Sequence, residues 1–208
     1  MIEVHHLNNS RSQRVLWLLE ELALPYEIVK YQRDATTNLA PESLKKIHPL
    51  GKSPVIKDGP TVLIESGAIL DYLVRRYGDG RLAPAEGTPA RTRYEQWMHY
   101  AEGSAMLPVM MKLYLSRLGE AGGPLLPRVH GEIENHFGFL DAELADANYF
   151  VGDELTAADI QLSFPIQVAR ILYTLDKFPR LAAFLERVHA RPAYRRATER
   201  GGAYAFGG

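Results

Sequence analysis

Cysteine is absent from all 208 residues. That excludes disulfides, thiolate zinc sites and every mechanism that cycles a protein thiol, so any sulfur chemistry must belong to a bound thiol. An excess of charge is missing too. Lys and Arg number 24 against 25 Asp and Glu, a formal net charge of −1, and no basic face or cluster invites nucleic acid. No apolar run approaches the roughly twenty residues of a membrane helix, and the first residues lack the basic-then-apolar layout of a secretion signal. A soluble, cytoplasmic protein with no membrane partner is the expectation. The seven histidines offer no metal pair: His5 and His6 are neighbours, His130 and His136 are six apart, and neither spacing puts two ligands on one helical face. No metal is expected.

What is present changes character along the chain. Residues 2–7 read as a strand and 12–22 as a helix with an apolar stripe at Val15, Leu16, Leu18, Leu19 and Leu22. A second strand follows at 26–31 and a short proline-started helix at 41–47. Two β-branched runs flank Asp58-Gly59, a hairpin signal, and a helix follows over 66–77. The order βαβ then αββα predicts a small mixed sheet, its first two strands parallel through a right-handed crossover. Residues 80–87 form a turn-rich linker. Beyond it the pattern is helical only, over 88–118, 125–146, 156–172, 178–190 and 192–200, ending in a glycine-rich tail that carries Tyr204 and Phe206. Two domains are expected: α/β over 1–79 and all-α over 88–208.

The chemistry gathers around the hairpin. Ser66 is placed as the N-cap of the helix that follows Glu65, so the first helical N–H groups face outward with partial positive charge. Pro54 stands at the mouth of the first hairpin strand, where a bend would turn the N–H and C=O of Val55 outward beside Glu65 and Ser66. Together these present an extended edge, a helix end for a carboxylate and a carboxylate for an ammonium, which describes a small zwitterionic peptide. Ser10, between the first strand and first helix, is either a helix cap or a hydroxyl donor to an anion, with the cation of Arg11 beside it. Ser12 competes for both roles, and Asn8 and Asn9 adjoin.

The motifs Ser10-Arg11-Ser12-Gln13-Arg14-Val15-Leu16, Leu50-Gly51-Lys52-Ser53-Pro54-Val55, Glu65-Ser66-Gly67-Ala68-Ile69-Leu70 and Val151-Gly152-Asp153-Glu154-Leu155-Thr156-Ala157-Ala158-Asp159 resemble, in order and spacing, those of the cytosolic glutathione transferases of bacterial type. The resemblance covers nearly the whole chain. It implies a thioredoxin-like N-terminal domain (βαβαββα), an all-helical C-terminal domain and a role in detoxification. Glutathione is implied as co-substrate rather than a resident cofactor, with a small hydrophobic electrophile and a homodimer. By resemblance Ser10 is the serine-type catalytic residue, Lys52, Val55, Glu65 and Ser66 bind glutathione, and Pro54 is cis. One edge of the helix over 88–118 would form the electrophile pocket, with Tyr100, Ser104, Met111 and Tyr114 as its candidates and the tail aromatics as lids. The alternatives are a glutathione-dependent peroxidase, isomerase or dehalogenase, or a non-catalytic binding protein of the same fold.

Thr156 and Asp159 read as a capping box flanked by the staple residues Leu155 and Ile160, a folding motif rather than a catalytic one. The long helix carries apolar residues on more than one side, including Trp97, Met98, Met106, Leu107, Met110 and Met111. One such face is expected to meet a second copy, with Arg75, Arg76, Arg91 and Arg93 pairing at its rim.

Overall fold

The computed structural model describes residues 1–207. The chain divides into two compact units, residues 1–81 with 189–208, and residues 82–188.

In the first unit, β1 (Ile2–Leu7), α1 (Ser12–Glu21) and β2 (Tyr26–Tyr31) form the expected parallel βαβ crossover, and β3 (Val55–Asp58) and β4 (Thr61–Ile64) add the hairpin. The strand order is β2-β1-β3-β4, with β3 antiparallel to β1. The hairpin loop is Gly59-Pro60 rather than Asp58-Gly59, because Asp58 is still paired with Thr61. Gly59 takes φ +57°. Pro60 excludes a type I′ turn, which needs positive φ at both loop positions, and suits type II′. The short helix is a single 3-10 stretch, Glu42–Lys46, pinned by the buried Leu44.

Helix α1 is buried on every side from Ser12 to Leu19. Its stripe packs on the sheet, and its far side is covered by α8 (Pro192–Gly201). Each fully buried leucine or valine in it contributes about 2 kcal/mol. The Trp17 and Tyr194 rings meet edge-on at 5.2 Å. Around that contact Glu21 pairs with Arg191, and Glu20 with Arg196 and Arg200. A Cβ on Gly201 would stand 2.8 Å from Gln13 Oε1, so a larger residue there would displace the Gln13 side chain. These contacts place residues 189–207 in the first unit, whereas the sequence pattern alone puts everything from 88 onward in one helical domain. A helix's partner across the chain is not visible in its own periodicity.

The second unit holds α3 (Pro89–Tyr100), α4 (Met106–Ser116), α5 (Leu126–Glu143), α6 (Ala157–Leu172) and α7 (Pro179–His189, whose last residue falls in the first unit). The single helix expected over 88–118 is interrupted by a π-turn at Ala101–Ala105, closed by the Met106 N–H on the Ala101 carbonyl. Pro108 accounts for it: it has no N–H for the carbonyl four residues earlier, and its ring crowds that turn. Helix α6 is buried along most of its length and forms the centre of the unit. Thr156 and Asp159 close the expected capping box at its start. Asp159 also accepts from the Phe150 N–H at 2.8 Å, and the Ala157 N–H reaches the Leu82 carbonyl. Asp141 on α5 caps α7 from 39 residues away, accepting from the Arg180 and Leu181 N–H groups. Among the described residues, no helix is long and apolar enough to cross a membrane.

Candidate functional site

Strand directions bring three sequence segments to one end of the sheet. Strand β1 runs toward Ser10, β3 begins opposite its end at the pair His5–Val55, and β4 ends beside it at Val55–Ile64. The turn after β1, the entry to β3 and the exit from β4 into α2 (Ser66–Tyr77) are therefore neighbours.

Ser53–Pro54 is a cis peptide. Val55 is fully buried and flanked by β1 on one side and β4 on the other. This corrects the expectation that its backbone lines an open edge. A two-residue hairpin makes Asp58–Thr61 a hydrogen-bonded pair, so alternation turns the Val55 N–H and C=O toward β1. The backbone that leaves the sheet belongs to Ser53, whose N–H and C=O have no backbone partner among the described residues. Its hydroxyl is locked, accepting from the Leu7 N–H at 3.2 Å and donating to the His5 carbonyl at 2.8 Å. Nothing in the sequence pattern singled out Ser53 over Val55; only strand register separates them. Lys52 precedes it, exposed.

At the exit from β4, Glu65 is exposed and has φ +68°, ψ +114°, a region costly for any side chain, on the order of 1–3 kcal/mol. Ser66 is the first helical residue rather than the N-cap expected of it. Its hydroxyl accepts from Arg14 Nη1 at 3.0 Å, and the side chain of the N-cap residue Glu65 makes no cap bond to α2. The strained Glu65 backbone holds a carboxylate at the mouth of an uncapped helix, and the buried Arg14 guanidinium stands behind it.

Ser10 is buried, its Oγ accepting from the Ser12 N–H at 3.2 Å and lying 2.8 Å from Ser12 Oγ. Ser12, wholly buried, is turned inward to His6 Nδ1 at 2.8 Å, so it does not compete as an outward donor. The Asn8 and Asn9 side-chain oxygens are also committed, accepting from the N–H groups of Arg33 and Ala205. Arg33 clamps the turn from the far side, donating to the Asn8, Asn9 and Asn38 carbonyls. Burial and the nearby Arg11 charge hold its pKa below the usual arginine value. Two cations thus flank the Ser10 turn. Arg33, 23 residues downstream of Ser10 in the sequence, carried no motif that could have revealed it.

The second unit holds a separate groove of about 320 Å³ between α4 and α5, walled by Ser104, Leu107, Pro108, Met111, Val129 and His136. Of the residues expected to receive an electrophile, Ser104 and Met111 line it. Tyr100 borders it, 2.6 Å from His136 Nδ1, and burial pushes its phenol up to about 12. Tyr114 is exposed and is not part of the lining. Tyr204 and Phe206 pack on each other in the first unit, where the Ala205 N–H meets Asn9 Oδ1.

Family models match on both sides of residue 82: the glutathione S-transferase N-terminal domain over residues 1–75 and the C-terminal domain over residues 103–192. Glutathione S-transferase 3 of Schizosaccharomyces pombe is 38% identical over 96% of this chain and 88% of its own. The crystal structure of a glutathione S-transferase from Actinobacillus pleuropneumoniae superposes with a TM-score of 0.90 at 35% identity, covering 99% of this chain and 95% of that one. A glutathione transferase family member from Pseudomonas fluorescens, solved with two glutathione bound, superposes with a TM-score of 0.81 at 29% identity over 94% of this chain and 91% of that one. The chain belongs to the glutathione S-transferase family and is a glutathione transferase.

Proposed function

We propose that glutathione lies along the end of the sheet, with its cysteinyl backbone beside Ser53, its γ-glutamyl end at Glu65 and Ser66, its glycyl end toward Lys52, and its sulfur at Ser10. The observation that carries this reading is the start of α2: an uncapped helix N-terminus whose preceding residue is held in a strained conformation with its carboxylate outward. The helix field and the Arg14 charge favour the ligand's carboxylate, and Glu65 faces its ammonium. Val55 supports this surface from within the sheet.

A free thiol with a pKa of about 8.5 is mostly protonated at neutral pH. The Ser10 hydroxyl, donating to sulfur, bonds the thiolate more strongly than the thiol, and Arg11 and Arg33 add positive potential on the same turn. The enzyme supplies a nucleophile at working pH and holds it near its target. The electrophile is hydrophobic; the groove with Ser104 and Met111 offers a pliable apolar wall for it, and methionine suits varied shapes. The product is the thioether, and the leaving group departs with its electron pair. Glutathione is consumed as co-substrate, and no resident cofactor is needed. A cytoplasmic location fits a chemistry that depends on reduced glutathione.

The working form is proposed as a homodimer, with one correction to its surface. Trp97, Met98 and Met106 are buried within their own unit, while Leu107 and Met111 are exposed, as are Tyr114, Leu118, Leu125 and Phe139. Arg75, Arg76, Arg91 and Arg93 already pair inside their own units with Asp71, Asp58, Glu95 and Glu143. Tyr114, Leu118, Leu125 and Phe139, which lie outside the groove lining, would carry the contact rather than these arginines or the groove residues Leu107 and Met111. Light scattering across a dilution series checks it, and an active species near the 23.3 kDa monomer mass contradicts it.

Turnover of glutathione with an activated aryl halide tests the conjugation reading, and a parallel screen of organic peroxides separates conjugation from reduction. Binding without turnover of either class would make this a glutathione-binding protein only.

A further inference from the structure

The Ser10 hydroxyl is the outer member of a chain of three buried groups. Ser10 Oγ lies 2.8 Å from Ser12 Oγ, and Ser12 Oγ lies 2.8 Å from His6 Nδ1 and 3.3 Å from the Leu7 carbonyl. His6 is on the face of β1 opposite to His5, whose Nδ1 turns instead to the Tyr31 hydroxyl.

Each serine has one proton, and the histidine nitrogen has one or none, so the direction of the chain is set by the His6 tautomer and by whether Ser12 donates to Ser10 or to the Leu7 carbonyl. With the proton on Nε2, His6 Nδ1 accepts from Ser12, and Ser12 must in turn accept from Ser10. The Ser10 proton then points into the protein. With the proton on Nδ1, His6 donates to Ser12, and Ser12 donates to Ser10 across the shorter of its two remaining contacts. Ser10 Oγ then accepts from both the Ser12 hydroxyl and the Ser12 N–H, and its own proton is left to point outward.

The Lys30 charge favours the second of these arrangements. A Cβ placed on Gly201 would stand 3.4 Å from His6 Nε2, and one on Gly202 would stand 3.9 Å from Lys30 Nζ. The ammonium and Nε2 therefore border the same pair of glycines, and a positive charge on that side disfavours a proton on Nε2. His6 stays neutral, because burial first and Lys30 second push its pKa down to about 4. A base that weak cannot take the thiol proton, since its imidazolium is some four powers of ten more acidic than a free thiol. Its role is to orient.

We propose that His6, acting through Ser12, is the positioning residue that turns the Ser10 proton toward the glutathione sulfur. This rests on the reading of Ser10 given above. Glutathione thiolate absorbance against pH, recorded on the whole protein with saturating glutathione, tests it. His6→Phe and Ser12→Ala should each raise the bound thiol's pKa by about one unit and lower kcat at neutral pH about tenfold, with glutathione affinity unchanged within severalfold. His6→Asn, which keeps a donor, should restore most of the shift. In a Ser10→Ala background, His6→Phe should add nothing. A folded His6→Phe protein with the wild-type thiol pKa, beside a shifted Ser10→Ala, overturns the relay and leaves the Ser10 reading standing. An unshifted Ser10→Ala removes both. Should the variants fail to fold, nitrogen NMR of the His6 ring in the wild-type protein decides: a proton on Nδ1 is expected, and a proton on Nε2 overturns the proposal.

Discussion

Helices α2 and α6 both begin where a hydroxyl residue sits near a carboxylate, and the two starts are built in opposite ways. At α6 the reciprocal box of Thr156 and Asp159 is closed, Phe150 and Leu82 supply further partners, and Asp159 is wholly buried. At α2 the carboxylate precedes the helix on a positive-φ residue, faces solvent and caps nothing, while the hydroxyl is held by Arg14. A helix end that satisfies itself contributes to folding. One left uncapped, with strain stored beside it, is available to a ligand. The contrast predicts that mutations at α6 read out in stability and those around α2 and its neighbour Ser10 in binding or rate.

The largest effect is expected at Ser10. Ser10→Ala should lower the rate of the chemical step by about 30- to 1000-fold, the 2–4 kcal/mol of one lost donor in a water-poor site, with glutathione affinity within severalfold of wild type. Single-turnover kinetics together with thiolate titration measure both. At the closed helix start, Asp159→Ala leaves the Thr156 and Phe150 donors unpaired and should cost about 3 kcal/mol, lowering Tm by roughly 6–12 °C for a chain of this size. Activity per folded molecule should be unchanged; lost activity at normal Tm would erase the contrast.

The same carboxylate gives a pH signature. Burial raises Asp159 to about 6, against the opposing pull of its hydrogen bonds. A folded pKa above the unfolded one means this contribution is fully present below about 3.8 and is lost as pH rises through about 6. Asp159→Asn should therefore gain relative to wild type by about 2 kcal/mol as pH rises from 4 to 7, read from denaturant midpoints. A constant difference would mean Asp159 titrates as an exposed carboxyl. Smallest is Ser66→Ala, which should weaken glutathione binding about tenfold, near 1.4 kcal/mol, while kcat at saturation changes little because the residue is remote from sulfur.

Local periodicity and turn chemistry made the strands, the hairpin, the capping box and most helix bounds legible in the sequence, because each depends on residues within a few positions. Spatial consequences were not. Ser66 looked like a cap because its pairing with Arg14, 52 residues away, overrides the local preference. The pattern points to Val55, and the part played by the Ser53 backbone emerges only from the alternation of ladder bonds. The π-turn at Ala101–Ala105 was foreshadowed only by Pro108. His6 shows in the sequence only as half of an i, i+1 histidine pair with no metal-ligand spacing, although strand alternation alone puts it and His5 on opposite faces.

The central claim, that strain at Glu65 is retained for binding, is tested most directly by Glu65→Gly. Glycine tolerates the backbone conformation that Glu65 is forced into, while the carboxylate is lost. Thermal unfolding and calorimetric titration with glutathione, run on the same preparation, should show a Tm equal to or a few degrees above wild type and an affinity weakened at least about tenfold. A lowered Tm with unchanged glutathione affinity would show that Glu65 serves the fold and that the ligand lies elsewhere.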